Sequence, residues 1–176
     1  MAVLPIILAP DPVLKKKCLP VDQVDDEIAT LMADMLETMY LAPGIGLAAP
    51  QVGVTKRVIV VDTSGKDDDP APIKMANPKI LFTSDELWTH EEGCLSLPDH
   101  YAEVERPAKI KIGYLDENNE HQEMEAEDLL ATCIQHEMDH LEGTLFVDHI
   151  SALKRNMILR KLTKAKKLKT HDATAD

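Results

Sequence analysis

Apolar positions in this chain recur with two periods, about 3.6 residues in some segments and 2 in others, and the changes of period mark out its elements. From Asp25 to Tyr40, the residues Ile28, Leu31, Met32, Met35, Leu36, Met39 and Tyr40 fall on one helical face. This predicts an amphipathic helix whose methionine stripe packs into the core. Asp25 or Asp26 is placed to cap it, and Pro43-Gly44 to stop it. Lys56–Asp62 is a β-branched run and predicts a buried strand. Ser64–Pro72 reads as a solvated loop, although three consecutive aspartates lie in it. Ala108–Leu115 alternates through Ile110, Ile112 and Tyr114, turn residues follow at Asp116–Asn119, and a polar strand is predicted over Glu120–Ala126, which together make a hairpin.

A second helix is predicted over Ala126–Leu141, with Leu129, Leu130, Cys133 and Ile134 as apolar positions and Gly143 as its stop. A third is predicted over Ser151–Leu168, with Leu153, Met157, Ile158, Leu162 and Leu168 on one side and Lys or Arg elsewhere. No internal repeat or linker divides the chain. The order helix, strands, helix, helix predicts an α+β fold in a single domain spanning 1–176.

Composition narrows the picture. With 176 residues the chain can bury a core without disulfides. Aromatics are only 3%, so Leu, Ile, Val and eight adaptable methionines must fill that core. No stretch approaches the ~18–20 apolar residues of a membrane span. The apolar start MAVLPIILAP lacks a basic region and is interrupted by Pro5 and Pro10, so no signal peptide is expected. Three cysteines (Cys18, Cys94 and Cys133) make an odd, sparse set that does not read as a disulfide framework. A cytoplasmic protein is expected.

The net charge of -12 argues against DNA binding, but the charge is uneven. The segment 150–170 carries eight basic residues and no acidic one, which leaves the rest near -20. It predicts a basic C-terminal helix that meets an acidic partner, followed by a disordered tail at 171–176.

The chemistry concentrates in His136-Glu137-Met138-Asp139-His140. On a helix, the i,i+4 spacing puts both imidazoles on one face, where they can share a cation, and Glu137 lies next to them. A catalytic metal normally has three protein ligands. A third His downstream is ruled out because Phe146 occupies that position, and no Glu occurs after Glu142. Asp148 and His149 are weak downstream candidates. Upstream, Cys94 in Glu92-Gly93-Cys94-Leu95-Ser96-Leu97-Pro98 offers a thiolate, with Gly93 giving freedom before it and Pro98 expected to end the segment. Cys94 is the favoured third ligand.

Three segments together resemble peptide deformylase: Gly44-Ile45-Gly46-Leu47-Ala48-Ala49-Pro50-Gln51, Glu92-Gly93-Cys94-Leu95-Ser96 and Gln135-His136-Glu137-Met138-Asp139-His140. They match that family's three motifs in content and order, and the similarity extends over most of the chain, including the C-terminal helix of the Gram-negative type. The resemblance implies antiparallel sheets packed around a central helix that carries the two histidines, flanked by an N-terminal and a C-terminal helix. It implies hydrolysis of the formyl group from the formyl-methionine of new polypeptides. The implied metal ligands are Cys94, His136 and His140, with ferrous iron as the usual ion and Zn2+, Ni2+ or Co2+ as substitutes. Such a metal lowers the pKa of a water from about 15.7 to about 7.

Glu137 is implied as the proton carrier, and the Gln51 amide and the backbone N–H of Leu95 as oxyanion donors. Gly44 and Gly46 are expected to let backbone approach the substrate closely. The peptide is implied to lie along Ile45, Gly46 and Gly93, with Leu129, Thr132 and Cys133 around the methionine side chain. Tyr101 stands at the mouth of the site, where many relatives carry Arg. The C-terminal helix is implied to dock on the ribosome. The same two-histidine chemistry also occurs in zinc endopeptidases, which form the alternative reading.

Overall fold

The computed structural model describes the backbone of residues 2–174 and the side chains of residues 2–169. Its first helix, α1 (Asp26–Leu41), starts where the sequence places it, with Asp25 Oδ1 accepting from the Ile28 N–H at 2.9 Å. The buried stripe is narrower than predicted. Met32, Met35 and Met39 are fully buried, Leu31 and Leu36 only partly, and Tyr40 is exposed, with its hydroxyl reaching Asp62.

The strands are β1 (Gly46–Ala48), β2 (Val58–Val61), β3 (Ile73–Thr83), β4 (Leu87–Cys94), β5 (Leu97–Pro107), β6 (Lys109–Leu115) and β7 (His121–Glu127). Every pairing between them is antiparallel. Five strands form one sheet in the order β1-β2-β3-β6-β7, and β4-β5 form a separate hairpin. The β6-β7 hairpin is the one predicted, in register from Lys109–Glu127 to Leu115–His121.

The uniformly apolar sequence of β2 has a simple cause. Val58 and Val60 pack with the α1 methionines, while Ile59 and Val61 pack on the opposite face with Ile134 and Leu141 of α2 (Asp128–Leu141). A strand covered on both faces loses its alternation. The helix α2 begins two residues later than predicted, because Ala126 and Glu127 are still paired in the sheet with Ile110 and Lys109. It ends at Leu141, and Gly143 follows at φ 75.

Pro98 does not end its segment as expected. It is the second residue of β5. Both strands of a two-stranded hairpin are edges, where a missing N–H is tolerated.

Helix α3 (Ala152–Thr174) runs past residue 170, and residues 175–176 of the expected tail lie outside the described residues. Its apolar side does not bury as one face. Leu162 is buried and Ile158 and Leu159 pack partly beside it, but Leu153, Met157 and Leu168 are exposed. Among the described residues no helix is long and apolar enough to cross a membrane.

Candidate active site

The hairpin and α2 bring together residues far apart in sequence. His136 and His140 are both buried, one turn apart on α2. Cys94, at the end of β4, places its Sγ 3.4 Å from His140 Nε2. One ligand atom from each of Cys94, His136 and His140 lies within 4.8 Å of the others. The downstream candidates lie elsewhere: His149 Nε2 is 2.8 Å from Asp139 Oδ2, and Asp148 is paired with Lys15 at 2.7 Å.

A buried ionic network sets the orientation of the first histidine. His136 Nδ1 lies 2.9 Å from Glu92 Oε1, which directs Nε2 toward the cluster. Arg106 holds Glu92 with two hydrogen bonds, from Nε at 2.7 Å and Nη2 at 2.9 Å, and gives a third from Nη1 to Asp139 Oδ2 at 2.8 Å. Burial pushes the Glu92 carboxyl up, but the hydrogen bonds from His136 and Arg106 outweigh it and hold the pKa at about 2. Sequence reasoning missed Glu92, Arg106 and Asp139 as site residues. The available signal was that a ligating His needs a carboxylate partner, but 31 acidic residues offered no way to choose one.

These residues fit a divalent cation. Burial lowers His136, yet its hydrogen bonds to Cys94 and Glu92 carry it well above its ordinary value, so the surrounding anionic groups call for positive charge. His140 is pushed well below its ordinary value by burial and then by the charge of His136, so its lone pair is available. Two imidazoles and a thiol form a donor set suited to zinc or ferrous iron. Glu137 sits beside this cluster, with Oε1 3.9 Å from His136 Nε2 and Oε2 lacking any hydrogen-bond partner among the described residues. Burial pushes its carboxyl up to about 7, opposed mainly by His136.

Residues 3–156 match the family model described as polypeptide deformylase. The chain belongs to the peptide deformylase family. It is 53% identical to a peptide deformylase of Agrobacterium fabrum, covering 96% of this chain and 99% of that one. It is 56% identical to one from Methylocella silvestris, covering 96% and 87% respectively. A crystal structure of the Ehrlichia chaffeensis peptide deformylase in complex with actinonin superposes with a TM-score of 0.90 at 40% identity, covering 94% of this chain and 98% of that one. The endopeptidase alternative gains no support from these relatives.

The remaining expected residues fall around the same deformylase centre. Gln51 is buried, and its Nε2 lies 3.0 Å from Ser96 Oγ and 3.5 Å from Cys94 Sγ, while its Oε1 accepts from the Ala48 N–H. The backbone N–H of Leu95 has no partner among the described residues. A cavity of about 630 Å³ opens beside the cluster. Ile45, Gly46 and Gly93 line one side, and Leu129, Thr132 and Cys133 of α2 line another.

Tyr101 stands exposed at the rim, with its ring against Gly93. The expected role of the first-motif glycines is also extended. A Cβ on Gly46 would lie 2.6 Å from Glu137 Oε1 and 2.8 Å from Cys133 Sγ, and one on Gly44 would lie 2.7 Å from a Leu95 methyl. These glycines bring backbone against the protein's own site residues as well as against the cavity.

Proposed function

We propose that this chain, acting as one catalytic domain over 1–176, removes formyl groups from the N-terminal formyl-methionine of new polypeptides in the cytoplasm. Cys94, His136 and His140 hold one divalent metal, natively Fe2+, with Zn2+, Ni2+ or Co2+ able to replace it. The observation that carries this reading is the convergence of three ligand atoms within 4.8 Å beside a buried carboxylate, one of whose oxygens has no hydrogen-bond partner among the described residues.

When bound, the metal polarises the formyl carbonyl and acidifies a water. Glu137 accepts a proton from the attacking water and returns one to the leaving nitrogen. A carboxyl near neutrality serves both directions of that transfer. The new C–O bond forms at the formyl carbon, the C–N bond breaks, and formate and a free amine leave. Gln51 Nε2 donates one hydrogen to Ser96 Oγ at 3.0 Å and turns the other toward Cys94 Sγ at 3.5 Å, beside the reacting centre, and the Leu95 N–H has no partner among the described residues, so both suit the developing oxyanion. Glu92 holds His136, and Arg106 holds Glu92, so the ligand face stays fixed without substrate. The peptide lies along Ile45, Gly46 and Gly93 with its first side chain between Leu129, Thr132 and Cys133, and Tyr101 borders its downstream residues.

The test is release of formate from formyl-Met peptides by anaerobically purified protein of known metal content. Formate production at a rate proportional to bound metal is expected. Cleavage of casein with no formate release would overturn the reading in favour of an endopeptidase.

A further inference from the structure

The cavity beside the metal centre has a polar wall that the hydrolytic chemistry does not use. β4 and α2 run alongside each other, with Cys94 next to His140 at 3.4 Å and Glu92 next to His136 at 2.9 Å. One more step along each, two residues on the strand and four on the helix, leads to His90 and Thr132. Both line the cavity. The His90 ring is stacked on Trp88, with centroids 4.9 Å apart and planes within 9°. Neither the His90 ring nor the Thr132 hydroxyl has a hydrogen-bond partner among the described residues. A neutral imidazole carries one N–H in either tautomer, so at least one donor is left for whatever fills the cavity.

We propose that His90, held by Trp88 and lining the same cavity as Thr132, donates a hydrogen bond to the first side chain of the substrate, so that the protein accepts formyl peptides beginning with methionine sulfoxide as well as methionine. This rests on the reading above that the first side chain enters this cavity. A thioether accepts hydrogen bonds weakly, a sulfoxide oxygen accepts them strongly, and the norleucine side chain does not accept them. A wholly aliphatic pocket would reject the sulfoxide, because its oxygen would lose water and gain no partner. Here an imidazole N–H and a hydroxyl meet that oxygen. The reaction itself is unchanged: water adds to the formyl carbon, the C–N bond breaks, and sulfur is neither oxidised nor reduced. Trp88 acts only through His90 and is a positioning residue.

The test uses three peptides that differ only in their first residue: formyl-methionine, formyl-methionine sulfoxide and formyl-norleucine. Formate release gives kcat/KM for each with the metal-loaded wild type and with His90→Leu, His90→Gln and Trp88→Leu. The readout is the sulfoxide-to-norleucine ratio within each protein, which is insensitive to the active fraction. That ratio should fall about fivefold or more in His90→Leu, the usual worth of one hydrogen bond. His90→Gln, which keeps an N–H donor, should restore most of it, and Trp88→Leu should lower it less. If His90→Leu does not fold, Thr132→Val takes its place, with a fall in the same ratio expected. An unchanged ratio in His90→Leu, or in Thr132→Val where that replaces it, would overturn the proposal. Failure of the wild type to release formate from any of the three peptides would overturn the deformylase reading instead.

Discussion

Helices α2 and α3 lie close in sequence and differ in almost every physical respect. Eight of the fourteen residues of α2 are buried, including two histidines and a glutamate. Of the described side chains of α3, only Leu162 is buried. Polar groups on α2 are held in place: His136 by Glu92, and Asp139 by Arg106 and His149. On α3, Lys154, Arg160, Lys161 and Lys164 face water. Burying polar groups is costly unless each is paired, so α2 can be tolerated only as part of a network. A solvated basic helix carries no such cost and is free to meet something outside the molecule. Mutations should therefore have steep effects at α2 and β4 and shallow ones at α3.

The steepest effect is expected at the ligands. Cys94→Ala, His136→Ala and His140→Ala should each abolish stoichiometric metal binding and deformylation, as read by elemental analysis beside a formate assay. Full metal content and activity in Cys94→Ala would remove the proposed centre. Glu137→Ala should keep the metal and lower turnover by about 10²–10⁴, the usual worth of a proton-transferring group. Loss of metal from a folded Glu137→Ala protein would show that this side chain ligates.

Removal of the brace comes next. Arg106→Met would leave Glu92 and Asp139 without their buried partner. The expected destabilisation in denaturant unfolding is about 3–5 kcal/mol, the range for breaking a buried ion pair. Neutralising an exposed lysine such as Lys164 should stay within about 0.5 kcal/mol. Comparable losses at Arg106 and Lys164 would erase the contrast between the two helices.

The smallest effect on chemistry is expected from truncation before Lys164, which leaves Leu162 and every proposed site residue in place. Turnover of a short formyl-Met peptide should be unchanged, while co-sedimentation with ribosomes should weaken. Ribosome binding by the full chain should also fall steeply with salt, by roughly 0.9 in the log–log slope per neutralised phosphate of duplex-like RNA. Equal co-sedimentation of both forms over a salt series would leave α3 as a solvated helix without a partner.

Much of this molecule was legible in its residues because the informative patterns are local. The i,i+4 pair His136 and His140, the Asp25 cap of α1 and the β6-β7 turn each depend on spacings of a few residues. Even the proposed third ligand, Cys94, could be reached by eliminating positions downstream. What the sequence did not reveal depends on distance along the chain. Glu92 and Arg106 are fourteen residues apart, and His136 is forty-four from Glu92, so no period links them. β4 reads as a polar stretch because its inward residues Trp88, His90 and Glu92 are chosen for partners on α2 and for one another rather than for hydrophobicity. How far α3 is covered is not legible in the sequence for the opposite reason. A helical period shows which residues share a face, but only neighbouring elements decide whether that face is covered, and here they reach no further than Ile158, Leu159 and Leu162.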